Sequence, residues 1–186
     1  MSSNLPQAQS VEEVFALFDR HGEVYYGENI NQNQHAVQCA ELARREGASP
    51  ELIIATLLHD VGHLLHLDVG LVHDQDVDDD HEATGAKYLA KVFPPQVTRA
   101  IAMHVTAKRY RCAVESGYFD TLSEASVLSL AVQGGPLTAD EAERFERNPG
   151  SKDALALRDW DDRGKCIELS SESPRDYFEM ALSVAL

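Results

Sequence analysis

The sequence predicts an all-α fold, and three observations carry that prediction: recurrent helix-start signals, apolar residues spaced by three and four, and a scarcity of alternating β-branched runs. Ser10-Val-Glu-Glu13 reads as a capping box ahead of VFALF. Residues 34–46 follow with a stripe of helical period. Ser49-Pro50 then supplies a cap and a first-turn proline before ELIIATLL, whose apolar run ends in His59-Asp60. Residues 81–93, 95–109 and 123–132 repeat the helical spacing. Thr138-Ala-Asp-Glu141 is a second capping box, residues 151–161 form a further helix, and Ser173-Pro174 starts the last. Two segments read as loops: 66–80, with the acid run Asp76-Val-Asp-Asp-Asp80, and 133–137, Gln-Gly-Gly-Pro-Leu. The acid run is expected to be solvated and not to bind metal. No repeat or low-complexity tract divides the chain, so one domain over residues 1–186 is expected.

The 186 residues are 44% hydrophobic and 25% charged, which excludes disordered and collagenous classes. With 31 acidic against 16 basic residues the formal charge is −15, a field that repels nucleic acid and anionic membranes. Any anionic ligand must therefore be held by a local positive site. Cys39, Cys112 and Cys166 make an odd count without CxxC spacing, which favours reduced thiols and excludes a zinc knuckle. The N-terminus has no basic start or apolar core, and the longest strongly apolar run, Leu52 to Leu58, is far short of a membrane span. A cytoplasmic protein is expected.

The order of the histidines carries more information than their number. His35 lies on one predicted helix, His59-Asp60 ends another, His81 opens a third, His104 closes a fourth, and Asp161 comes much later. Taken singly, each would be a packed or surface residue, the reading kept for His21, His66 and His73. The pair within Leu-Leu-His-Asp-Val-Gly-His differs, because an apolar helix has no other reason to bring two ionisable groups together. Imidazoles and carboxylates converging from several helices suit iron, manganese or another borderline metal, and a carboxylate can bridge two ions.

The series H…HD…H…H…D resembles the HD-domain superfamily, which implies a helical bundle around a metal centre. The resemblance places a four-ligand core at His35, His59, Asp60 and Asp161, with His81 and His104 supplying a second metal and Asp60 as the bridge. Four segments are similar to the PhnZ/TmpB-type mixed-valent diiron oxygenases over about residues 20–180: Tyr25-Tyr-Gly-Glu-Asn-Ile-Asn-Gln32, His104-Val-Thr-Ala-Lys-Arg-Tyr110, Gln133-Gly-Gly-Pro136 and Arg158-Asp-Trp-Asp-Asp-Arg-Gly-Lys165.

That resemblance implies a non-heme dioxygenase with two iron ions, Fe(II)/Fe(III), and O2 as co-substrate. Its substrate would be 1-hydroxy-2-(trimethylammonio)ethylphosphonate or 1-hydroxy-2-aminoethylphosphonate, cleaved at the carbon–phosphorus bond to glycine betaine or glycine plus phosphate. His63, Lys108, Ser126, Arg158 and Lys165 would hold the substrate, four of them within a helical turn of a metal ligand. Tyr25 and Glu28 would form a lid in which the tyrosine occupies the second iron until substrate displaces it, with Tyr26 the alternative for a one-residue shift. Asp68 and the acid run could receive the cationic head, and Leu65, Leu67, Val69 and Leu71 could pack its methyl groups. The competing readings are a dinuclear HD phosphohydrolase acting on a phosphate ester and an idle HD module that senses a phosphorylated ligand.

Overall fold

In the computed structural model the described residues are 5–25, 29–71, 80–166 and 172–186, and they form helices without a β-sheet. The helices are α1 (Val11–His21), α2 (Gln32–Arg45), α3 (Pro50–Leu57), α4 (Val61–Asp68), α5 (His81–Leu89), α6 (Pro95–Val114), α7 (Glu124–Val132), α8 (Ala139–Glu146), α9 (Ser151–Arg163) and α10 (Phe178–Val184). Extended structure is confined to one antiparallel bridge between Tyr25 and Asn31, just ahead of α2.

The helix starts follow the capping chemistry of the sequence. Ser10 accepts from the Glu13 amide, although the return bond from Glu13 lands on the Gln9 amide, one residue early. Ser49 caps α3 with Pro50 behind it, and Thr138–Glu141 forms both halves of its box. Ser173 caps a short 3-10 turn, Pro174–Tyr177, that leads into α10.

The long α6 is the axis of the fold, packed on α9, α5 and α3, while α2 lies against α3 and α9. The main core gathers Phe15, Val37, Ile54, Leu57, Leu64, Leu89, Ile101 and Leu157, all at most 1% exposed. The buried faces of α2, α5, α6 and α9, and the turn between α3 and α4, also carry the chemistry of the centre.

Three boundaries differ from the sequence reading. His59 and Asp60 do not end a helix: they occupy a turn between α3 and α4, closed by Leu58 N–H to Ile54 O and Val61 N–H to Leu58 O. Second, α6 runs past its expected end at residue 109 to Val114, with His104 at its middle and not its close, because nothing in that stretch breaks it. Third, α5 stops at Leu89, short of residue 93, where Pro94 and Pro95 disfavour helix in the residues before them.

The expected loop 66–80 begins later than predicted, since α4 continues to Asp68. Leu65 is 1% exposed in the core, and Asp68 accepts from Arg20 and His21, so neither is available to a cationic head in the way the loop reading expects. Residues 72–79, with His73 and most of the acid run, lie outside the described residues. Asp80 resumes the chain in the left-handed region at φ 48°, immediately before α5.

Candidate metal centre

Five elements deliver the predicted cluster. His35 comes from α2, His59 and Asp60 from the α3–α4 turn, His81 from the first position of α5, His104 from the middle of α6, and Asp161 from α9. Asp60 sits where a residue would cap α4, yet its side chain makes no capping bond, which leaves both oxygens for the cluster. Its Oδ1 lies 3.4 Å from His59 Nε2, 3.5 Å from His81 Nε2 and 3.7 Å from His104 Nε2. Its Oδ2 faces His35 Nε2 at 3.8 Å, while Asp161 presents Oδ1 to His35 at 3.2 Å and Oδ2 to His59 at 3.7 Å.

The backbone sets the tautomers. His35, His59 and His104 each place Nδ1 2.8 Å from a carbonyl oxygen, of Gly164, Thr56 and Ile101 respectively. A carbonyl only accepts, so each Nδ1 carries a proton and each Nε2 is turned into the cluster, where, although burial opposes it, Cys39 and Asp161 raise the His35 pKa well above the usual imidazole range. Burial lowers the pKa of His59 and His104, which keeps both rings neutral. Burial opposes ionisation of Asp60, but His59, His63 and His81 outweigh it and hold the carboxyl well below the usual range. Asp161 is depressed against its own burial by Arg158 and His35.

This donor set fits metal ions. His59 Nε2 is buried with no hydrogen-bond partner, and the His104 Nε2 lone pair points at His81 Nε2 from 3.2 Å. Cations answer both arrangements. Ligand atoms within 4.8 Å of one another form three overlapping groups: His35, His59 and Asp161; His59, Asp60 and His104; Asp60, His63 and His81.

His63 does not reach the cluster by sharing a helix turn with His59, because the turn at residues 58–60 intervenes; it is the third residue of α4 and stacks on His81 at 3.9 Å. Gly62 makes that approach possible. A Cβ on Gly62 would lie 2.0 Å from the His81 carbonyl oxygen, so α4 and α5 touch backbone to backbone here.

A cationic cluster borders the metal residues. Lys108, one turn beyond His104 on α6, is 3% exposed and donates to Ser129 Oγ at 2.7 Å. Burial, reinforced by Arg158, lowers its pKa to about 8. Lys165 lies just past the end of α9 and donates to Ser126 Oγ at 3.0 Å and Ser123 Oγ at 3.2 Å. Arg158 is 3% exposed, with its terminal nitrogens on Asp161 and Asp162. Sequence reasoning misses Ser123 and Ser129, although their spacing of three on either side of Ser126 on a predicted helix is the available signal.

Of the expected lid residues, Tyr25 is among the described ones. Tyr25 is 61% exposed, its backbone tied to Asn31 by the bridge and its side chain turned to solvent. Glu28 and the alternative Tyr26 lie outside the described residues.

A helical bundle that turns four histidines and two aspartates onto one buried cluster defines a metal-binding HD domain. Residues 33–157 match the HD domain family, and the chain belongs to it. Within that family it is 41% identical over 181 residues to the 1-hydroxy-2-(trimethylamino)ethyl phosphonate dioxygenase (glycine-betaine-forming) of Leisingera caerulea, covering 96% of this chain and 90% of the relative. It is 40% identical over 182 residues to the hydroxymethylphosphonate dioxygenase of Gimesia maris, covering 95% of this chain and 89% of that relative. Among the described residues no helix is long and apolar enough to cross a membrane.

Proposed function

We propose that this protein is an O2-dependent dioxygenase that cleaves the carbon–phosphorus bond of a 1-hydroxyalkylphosphonate at a diiron centre. The carrying observation is similarity over nearly the whole chain to two dioxygenases whose named substrates share a hydroxyl on the carbon bearing phosphorus. A cationic cluster beside a histidine–carboxylate cluster supports the same reading, because it suits an anionic phosphonate next to metal.

In this proposal His35, His59, Asp60 and Asp161 hold one iron, and Asp60, His81 and His104 the other. When bound, the irons supply the redox chemistry with O2 that oxidises C1, which a redox-inert zinc cannot. The chain's own residues do the positioning. Lys108 and Lys165 neutralise the phosphonate oxygens, Ser126 and His63 donate to them, and Arg158 adds positive charge from behind Asp161. The lid role of Tyr25 and Glu28 is carried by the sequence resemblance alone.

The phosphohydrolase would attack an ester with metal-activated water and needs no O2, which separates the two readings, and the named relatives do not favour it. Since Asp68 is engaged by Arg20 and His21, the trimethylammonio substrate rests on the Leisingera relative and not on the loop.

The direct test is turnover of iron-loaded protein with the trimethylammonio, primary-amine and hydroxymethyl substrates, following phosphate release and O2 uptake. Phosphate release from a phosphate ester without O2 would overturn the assignment.

Lys108→Ala should weaken substrate binding and leave the metal content unchanged, because Nζ is held by Ser129 and not by the metal residues. Lost metal with unchanged substrate affinity would make the lysine a support for His104. The phosphonate-binding form of Lys108 is the cation, present below its pKa. Affinity in the free enzyme should therefore fall as pH rises through about 8, and Lys108→Arg should move that limb to higher pH. Tyr25→Phe tests the lid: resting spectra and air stability of the metal centre that match wild type would remove Tyr25 from that role.

A further inference from the structure

The cations around the metal cluster are engaged in different ways. Lys108 and Lys165 end on serine hydroxyls, whereas Arg158 is shared between two carboxylates. Its Nη1 donates to Asp161 Oδ2 at 2.7 Å and its Nη2 to Asp162 Oδ1. Asp162 in turn is fixed from its other side: Oδ2 accepts from the Tyr118 hydroxyl at 2.6 Å and from Arg111 Nη1 at 3.3 Å. The Arg111 guanidinium also lies over the Tyr118 ring, 4.1 Å from its centroid. One line of contacts thus runs from His35 through Asp161, Arg158 and Asp162 to Tyr118 and Arg111.

A metal-binding carboxylate gives the ion less charge when a cation holds its other oxygen, and that competition is strong where water is scarce. The side chain of Arg158 is 4% exposed and that of Asp161 8%. Asp162, held rigidly, competes for the same guanidinium and relieves Asp161 of part of its field. We propose that Arg158 and Asp162 act as a pair of positioning residues that sets how much charge Asp161 gives its metal, with Asp162 dividing the guanidinium away from it. This rests on the proposed iron centre.

A stronger carboxylate donor stabilises the ferric ion relative to the ferrous, so the two partners must act with opposite sign. Arg158→Gln removes the competing cation, and the midpoint potential for one-electron reduction of the centre should fall. Asp162→Asn leaves the guanidinium wholly on Asp161, and the midpoint should rise. Tyr118→Phe is a milder variant: it removes the shorter of the two bonds to Asp162 Oδ2 and leaves that from Arg111, lets Asp162 draw harder on Arg158, and should shift the midpoint in the sense of Arg158→Gln by less. Arg158→Lys, which keeps a cation, should stay nearer to wild type than Arg158→Gln.

The experiment is mediated redox titration of iron-loaded wild type and the four variants, with metal content measured alongside. Shifts of opposite sign support the proposal. Shifts of the same sign, or lowered metal content with an unmoved midpoint, would overturn it in favour of a merely structural role. Cobalt(II) titration of the same metal-free proteins reads donor strength whatever the native metal: Arg158→Gln should bind more tightly than wild type and Asp162→Asn less tightly. A wild-type centre without a ferric/ferrous couple overturns the iron assignment, whereas cobalt affinities that move together overturn the inference itself.

Discussion

Asp60→Ala should empty the metal centre and abolish turnover together. The Asp60 carboxylate lies within 3.8 Å of His35 and within 3.7 Å of His59, His81 and His104, so its removal takes away the anion these four imidazoles share and leaves Asp161 facing only His35 and His59 among them. Loss of groups that only support metal ligands costs about 10–100-fold in affinity or activity, and loss of a bridging ligand should exceed that. The measurement is metal content by elemental analysis beside activity. Asp60→Asn separates shape from charge, since the amide fills the same space without the negative charge the cluster neutralises. Wild-type metal content in either variant would contradict a bridging role.

Gly62→Ala should have the next largest effect, although residue 62 touches neither substrate nor metal in the proposed scheme. Its Cβ would lie 2.0 Å from the His81 carbonyl oxygen and 2.7 Å from the carbonyl carbon, and neither can turn aside as a side-chain tip could. Gly85 on α5 packs against the Gly62 amide nitrogen, which a Cβ added at residue 85 would approach to 3.2 Å, so the contact is close on both sides. The helices must separate, at a cost of about 1–3 kcal/mol for overpacking. His81 opens α5 at that contact and would move away from Asp60 and His104. The expected result is loss of the ion proposed at Asp60, His81 and His104, retention of the one proposed at His35, His59 and Asp161, and a lower melting temperature. Unchanged metal stoichiometry would show that His81 tolerates the displacement.

Much of this was legible in the sequence because helices announce themselves locally. Ser49-Pro50 and Thr138–Glu141 mark helix starts through groups three residues apart, and the folded chain uses both. The six residues picked out as metal ligands by residue type and order are brought within a few ångströms of one another by the fold. What stayed hidden depends on non-local contact. The break at residues 58–60 has no glycine or proline before it, so an apolar run reads as one helix through His59-Asp60. Arg158 reads as a substrate clamp from its spacing to Asp161, but its engagement with Asp162 and the role of Tyr118 appear only when α9 meets the segment after α6. Nothing in the sequence ties Ser129 to Lys108 or the Gly164 carbonyl to His35, because those partners lie far from them in sequence.

The hydrogen bonds from His35, His59 and His104 to main-chain carbonyls have a consequence for how this centre can be damaged. An aspartate or glutamate that orients a histidine can be lost in one codon change, but the carbonyls of Gly164, Thr56 and Ile101 persist whatever side chains those positions carry. Misorienting these rings therefore takes not the loss of an acceptor side chain but a substitution, at the acceptor position or elsewhere, that shifts the backbone. Gly164 illustrates this: an added Cβ would meet the Cys39 Sγ at 2.3 Å and carry the carbonyl away from His35. Inheritable lesions of this centre should thus concentrate at tightly packed glycines and at the ligands themselves, with a broad tolerance everywhere between.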